Sequence, residues 1–293
     1  TRIVNELQLQ GFVRETELVT SGVGRKATLL EVCGNVLYTI GVEIDKSIIK
    51  IGIVNYVGEI ESLHKYNRNE LESYDETLQK VNINVKSIMD RNGIPETKII
   101  GLAIGLPGYV DYKNGVVKVS DQLKWKDVNL ADDLKKLTSF DVIIDNELKM
   151  KVVAENFIGK AKNSQNCILL GIGSGIGSAI ILNGEIYRGE SNNAGEIGHT
   201  VIDPTGNVCN CGKIGCLATY ISEGAILADS RKVKEIPSID DVFHSYRNRE
   251  PWALNIMDRA STYIALAISN ILCLYNPEVI ILSGNTIEKL PEM

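Results

Sequence analysis

The run Gly195-Glu196-Ile197-Gly198-His199 is followed, ten positions after His199, by Cys209-Asn210-Cys211-Gly212-Lys213-Ile214-Gly215-Cys216. Half of the six cysteines and one of the three histidines fall between His199 and Cys216. One imidazole and three thiolates form the donor set of a tetrahedral ion of borderline softness, zinc above all. Gly212 and Gly215 let the backbone turn sharply enough to aim three thiolates at one point. The alternative is three free thiols on a flexible loop beside a hydrogen-bonded histidine. Clustering of Cys and His in a chain otherwise sparing of both favours the metal.

Composition bounds what surrounds this cluster. A chain of 293 residues is long enough for about two domains. With 44% apolar and 23% charged residues it has the balance of an ordinary soluble globular protein. The longest nearly apolar run, Cys167 to Leu182, is interrupted by Gly and Ser and falls short of the roughly 18 residues a membrane span needs. The first residues lack the layout of a signal peptide. The expectation is a cytoplasmic protein with no membrane partner, in which Cys33, Cys167 and Cys273 are reduced thiols that pack among apolar neighbours. A net charge of −6 excludes the body of the protein as a nucleic-acid surface, so any such contact is local.

The elements that must position these residues come in two styles. Ile3, Val4, Leu7, Phe12 and Val13 are assigned to one helical spacing, with Gly11 a natural stop. An extended stretch, the basic glycine-rich tip Ser21-Gly22-Val23-Gly24-Arg25-Lys26 and a second extended stretch, Ala27 to Val32, follow. Helix, strand, tip and strand form the layout of the second half of a winged helix, or equally of a helical hairpin leading into a domain. From Tyr38 the pattern becomes a strand meander: Thr39 to Ile44, Ile48 to Asn55, Glu59 to Lys65. The same unit returns at Cys167 to Gly173, Gly177 to Leu182 and Glu185 to Tyr187, which predicts two related α/β lobes with a ligand cleft between them. Between the meanders lie predicted strands at Lys98 to Ile104 and Asp141 to Ile144, a turn at Gly105-Leu106-Pro107-Gly108, and a helix from about Glu147 to Ile158 closed by Gly159.

Together these residues resemble the ROK family of bacterial sugar kinases and sugar-responsive repressors. The resemblance spans nearly the whole chain: the wing, the first hairpin, Leu106-Pro107-Gly108, Asn146, the Gly171 to Gly177 loop, Gly195 to His199, the cysteines, and Asn276 to Gly284. It implies an α/β, actin-like (ribonuclease-H-like) two-lobed fold, with a partial winged helix at 1–33, a first lobe at 34–145 and a second at 146–293. It implies a structural zinc on His199, Cys209, Cys211 and Cys216, and sugar contacts from Gly108, Asn146, Glu147, Glu196 and His199. Family members also carry further chain before Thr1 and after Met293.

Departures from the family pattern separate repressor from kinase. Where the kinases have a glycine-rich phosphate turn, this chain has Glu43-Ile44-Asp45-Lys46-Ser47, which sets a side-chain carboxylate where phosphates need open backbone. Glu147 replaces the catalytic Asp, and Ala218 replaces a sugar-contacting Glu two residues after the last zinc cysteine. Asn146-Glu147, Trp125 to Leu130 and Ile281 to Met293 look most like the xylose-responsive repressors, with glucose or another hexose as alternative effectors. The expected protein is therefore no enzyme. It binds operator DNA through Arg2, Arg25 and Lys26 and acts as a homodimer or homotetramer. The competing readings are an ATP-dependent sugar kinase and a zinc-stabilised assembly module without ligand.

Overall fold

The computed structural model of the chain describes residues 2–19 and 27–291. The chain divides into two compact units, Thr1–Glu147 and Leu148–Met293.

The first unit opens with helix α1 (Arg2–Leu9). It ends at the expected glycine: the N–H groups of Gly11 and Phe12 donate to Gln8 and Leu7, with Gly11 left-handed at φ +79°. Strands β1 (Val13–Val19) and β2 (Ala27–Val32) then pair antiparallel. Residues 20–26, with Arg25 and Lys26 of the expected wing tip, lie outside the described residues.

The meander follows as β3 (Tyr38–Ile44), β4 (Ile48–Asn55) and β5 (Ile60–Asn67). Next come α2 (Tyr74–Asn92), β6 (Ile99–Leu106), β7 (Tyr109–Asp111), β8 (Val116–Ser120), β9 (Trp125–Val128), α3 (Leu130–Thr138) and β10 (Val142–Asn146). The main sheet has the order β10-β6-β3-β4-β5, with β6 parallel to both β3 and β10. Along β3 the residues Tyr38, Ile40, Val42 and Ile44 share one buried face. Leu78, Val81, Val85 and Ile88 of α2 and Leu130 and Leu134 of α3 join them in one core, the period-2 and period-3.6 stripes meeting as patterning requires. Helix α2 starts on a Ser73/Glu76 capping box and ends at left-handed Gly93.

Two features of this unit differ from the sequence expectation. Strand β6 continues through Gly105 and Leu106, because Gly105 pairs with Glu43 on one side and Asp145 on the other, and the turn shrinks to Pro107-Gly108. Strands β7 to β9 form a separate sheet that was not foreseen. Its signal was Asn114-Gly115, a hairpin dipeptide between β7 and β8.

The second unit takes up α4 (Glu147–Phe157), then β11 (Cys167–Ile172), β12 (Ile176–Leu182) and β13 (Glu185–Ile186). After the cysteine loop come α5 (Ala218–Ile221), α6 (Glu223–Arg231), α7 (Ile239–Arg247), α8 (Pro251–Tyr275), β14 (Val279–Ser283) and α9 (Asn285–Lys289). The sheet order is β13-β12-β11-β14, antiparallel except for the parallel β11/β14 pair. An antiparallel meander thus occurs in both units, as in the sequence repeat, and in each its first strand also pairs with a parallel strand. No helix among the described residues is long and apolar enough to cross a membrane.

Two smaller expectations fail here. Gly159 is not left-handed; instead the Glu155 carboxylate accepts from the Lys160 N–H at 2.7 Å, and a Cβ on Gly159 would lie 2.2 Å from that carboxylate. The side chain, not a glycine cap, closes α4. Cys167 is buried as expected, but Cys33 is half-buried and Cys273 exposed, the latter lying off the stripe of α8 that buries Ile264, Ala267 and Ile271.

Gly171 and Gly177 pair directly across β11 and β12, and a Cβ on either would meet the Leu148 side chain, at 2.7 and 2.9 Å. Half of the glycine-rich run is therefore explained by packing. Gly171→Ala is expected to cost about 1–3 kcal/mol by overpacking. Combined with Leu148→Ala in denaturant titrations it should cost less than the sum of the single changes. Additive losses would show that Leu148 is not the obstacle.

Candidate functional site

The cysteine loop is built on short backbone links. Cys209 N–H donates to Lys213 O at 2.8 Å and Gly212 N–H to Cys209 O at 2.9 Å, while Val208 bridges Ile214 and Val201 bridges Cys216. Both glycines are left-handed as expected, and at Gly215 a Cβ would fall 1.5 Å from Asp203 O. Asp203 is itself held by the Tyr220 hydroxyl at 2.7 Å and by Thr205, a pair of supports that the sequence reading missed.

His199 ends a 3₁₀ turn, Ile197–His199. Its Nδ1 lies 3.6 Å from Cys209 Sγ, Cys211 Sγ lies 3.6 Å from Cys216 Sγ, and the four donor atoms are all within 4.8 Å of one another. Zinc bonds of about 2.3 Å to sulfur and about 2.0 Å to nitrogen would set tetrahedral donors about 3.5–3.8 Å apart. Burial pushes the Cys216 thiol up to about 12, whereas the Lys213 backbone N–H is the main influence drawing Cys211 down. A thiol that burial keeps protonated becomes a ligand only when a cation compensates the charge. The four residues could hold a metal ion.

The other expected contacts fall into two groups. In the first unit Asn146 ends β10, and its Nδ2 donates to Gly108 O at 3.2 Å, so the structure brings these two together with Glu147 next in line at the start of α4. Ser120, which the sequence reading passed over, is 1% exposed, and its Oγ has no hydrogen-bond partner among the described residues. It packs under Gly108, where a Cβ would stand 3.0 Å from the Ser120 Cβ, a placement made only by the unforeseen β7–β9 sheet. In the second unit Glu196 is exposed and joined to His199 through one turn, the His199 N–H donating to Glu196 O at 3.0 Å.

The two glycine or glycine-equivalent turns are occupied by protein groups. At Asp45-Lys46-Ser47 the Lys46 N–H donates to the Asp45 carboxylate at 2.7 Å, the Arg68 guanidinium donates to Lys46 O at 3.0 Å, and the Arg68 backbone N–H donates to Ser47 O at 2.8 Å. Beside the Gly173-Ser174-Gly175 loop the Glu223 N–H donates to Gly173 O at 2.9 Å, and the Glu223 carboxylate accepts from Asn285 Nδ2. Arg2 is exposed on α1.

The family model described as the ROK family matches residues 39–292. The chain belongs to the ROK family. The xylose repressor of Bacillus spizizenii is 30% identical over 98% of this chain and 74% of its own length. The glucokinase of Thermotoga maritima is 29% identical over 85% of this chain and 82% of its own. Among solved structures, a ROK family transcriptional regulator homologous to the E. coli MLC protein matches at TM-score 0.82 and 25% identity, over 99% of this chain and 76% of that one. The glucokinase of Streptomyces griseus, in complex with glucose and AMPPNP, matches at TM-score 0.75 and 22% identity, over 86% and 84%. The α/β, actin-like class expected from the sequence is the class of these ROK neighbours.

Purified protein is expected to carry one metal ion per chain, read by elemental analysis after dialysis against a chelator. Cys211→Ser should lose the ion and lower stability by about 2 kcal/mol or more, since the ion's binding energy is folding energy. An intact fold with metal content well below one per chain would overturn the site.

Proposed function

We propose that this ROK protein is a sugar-responsive transcriptional repressor, not an enzyme, with xylose the first effector to test and glucose or another hexose next. The observation that carries this reading is the helix and hairpin ahead of the first sheet. Relatives named xylose repressor in two Bacillus species match 98% of the chain. Glucokinases match 84% and 85%, a shortfall close to the length of α1, β1 and β2 with their flanks. On this reading α1 is the end of a recognition helix bearing Arg2, and Arg25 and Lys26 at the hairpin tip reach minor groove and phosphates. The partner is operator DNA bound by a homodimer or homotetramer.

The sugar contacts are Gly108, Asn146, Glu147, Glu196 and His199, an amide, two carboxylates and an imidazole of the kind that vicinal hydroxyls need. Zinc on His199, Cys209, Cys211 and Cys216 is structural: Nδ1 faces the thiols, leaving Nε2 as the other ring nitrogen. The kinase alternative is disfavoured because Asp45 takes the Lys46 N–H that a phosphate would need and Glu223 sets a carboxylate beside the second loop.

Gel-shift titration at fixed salt should show operator affinity changing about 5–150-fold when the effector is added, a coupling of about 1–3 kcal/mol. Arg25→Ala should weaken operator binding and spare sugar affinity, whereas Glu196→Ala should abolish the sugar response alone. A sugar that binds by calorimetry yet leaves operator affinity unchanged would sink the repressor reading. Sugar-dependent ATP turnover should stay at background, and Glu147→Asp alone should not raise it; robust turnover would restore the kinase.

A further inference from the structure

Lys149 is 4% exposed, a rare place for an ammonium. It stands on α4 two residues after Glu147 and donates from Nζ to the backbone carbonyl of Asn192 at 2.8 Å. Asn192 is 8% exposed and left-handed at φ +59°, and its side-chain oxygen accepts from Arg188 Nη1 at 2.8 Å. The loop is closed at its base where the Ala194 N–H donates to Arg188 O at 3.1 Å. One residue on, Gly195 O takes the Ser178 N–H and hydroxyl, at 2.7 and 2.9 Å, and Glu196 follows. The loop 187–195 is therefore held at both ends by β12, where Tyr187 N–H donates to Ile180 O at 2.8 Å and Ser178 donates to Gly195 O, and between them at Asn192 by Lys149 of α4. A buried ammonium must be met by hydrogen-bond acceptors, and the Asn192 carbonyl is one of them, so the bond fixes the loop against α4.

We propose that Lys149 is a positioning residue for the sugar site: it ties the loop carrying Glu196 to the helix that begins with Glu147, and so sets sugar affinity without touching the sugar. This role rests on the sugar reading of Glu147 and Glu196. Its basis is that charge-assisted bonds to a loop carbonyl order that loop before a ligand arrives, and a preordered carboxylate binds hydroxyls without an entropy cost at the moment of binding.

The test is calorimetric titration of the zinc-loaded protein with xylose and glucose, alongside amide hydrogen exchange of residues 187–195. Lys149→Met, of similar length and uncharged, should lower sugar affinity about tenfold or more and speed exchange in the loop, with metal content and far-ultraviolet dichroism unchanged. Lys149→Arg, which can still donate to Asn192 O, should recover most of both. In a Glu196→Ala background Lys149→Met should change sugar affinity little, because the carboxylate it positions is gone. Unchanged affinity in Lys149→Met, or an equal loss with and without Glu196, would overturn the role while leaving the sugar reading intact. A wild-type protein that binds neither sugar, nor any other pentose or hexose, would overturn the sugar reading itself and this role with it.

Discussion

One carbonyl organises the second unit. Gly195 O accepts from the Ser178 N–H at 2.7 Å, the Ser178 hydroxyl at 2.9 Å and the Ile197 N–H at 2.7 Å. A carbonyl oxygen has two lone pairs, so three donors crowd it and leave the chain little freedom. Only glycine fits, at φ +99°, because a Cβ would lie 2.0 Å from Ser178 O. Everything downstream inherits this anchor: Glu196, the 3₁₀ turn, His199 and through it the cysteine cluster. The anchor is firm because β12 pairs along its length with β11, which is buried at every residue.

The first unit shows the opposite treatment at its equivalent hairpin. A turn that would cradle phosphate must leave backbone N–H groups open. Here the turn satisfies itself: Asp45 caps the Lys46 N–H, Arg68 binds two of its carbonyls, and Lys46 pairs with Glu70 at 3.1 Å. On the proposed reading the asymmetry has a physical reason. Catalysis requires a base and phosphate donors placed to within a fraction of an ångström in the transition state. A switch requires only that a ligand prefer one conformation. A fold relieved of chemistry can therefore fill its phosphate turn with stabilising bonds and retain the carboxylates and amides aimed at sugar hydroxyls.

Much of this was legible in the sequence because local chemistry dictated it. The metal-competent cluster was visible because Cys209, Cys211 and Cys216 sit on one tight hairpin and His199 lies ten positions before it, close enough for the Val201–Cys216 bridge to bring them together. Strands β3 to β5 followed from alternation bounded by turn residues, and β11 to β13 from apolar runs punctuated by glycine turns. What escaped was set at longer range. Gly105 reads as a turn residue but is paired on both sides by strands far away in sequence. Gly159 reads as a helix cap but makes room for Glu155. Nothing local to Lys149 reveals that its ammonium is buried against Asn192 O, 43 residues on. Gly171 and Gly177 belong to a loop whose glycines could serve turn or phosphate alike, while the structure gives them Leu148 to accommodate.

On the proposed reading, the attachment of the hairpin to the first sheet is the place a response to ligand would pass on its way to DNA. Phe12, just after α1, meets Tyr56 edge-on with ring centroids 5.6 Å apart, and its carbonyl accepts the Cys33 N–H at 2.8 Å. The Tyr56 N–H in turn donates to Gly34 O at 3.0 Å. Tyr56 belongs to the β4–β5 turn, which Asn55 stiffens by accepting the N–H groups of Val57 and Glu59 and donating to Glu59 and Glu61. Of these links the backbone bonds do not yield by rotamer change, and the aromatic edge contact adds packing beside them. A ligand can alter operator affinity only through groups whose contacts differ between two states. Within the first unit, Tyr56 and Gly34 help to hold the helix and hairpin to the sheet, together with Lys98, whose Nζ donates to Asn35 O at 3.1 Å, so a shift of β4 has a direct route to the hairpin through Tyr56.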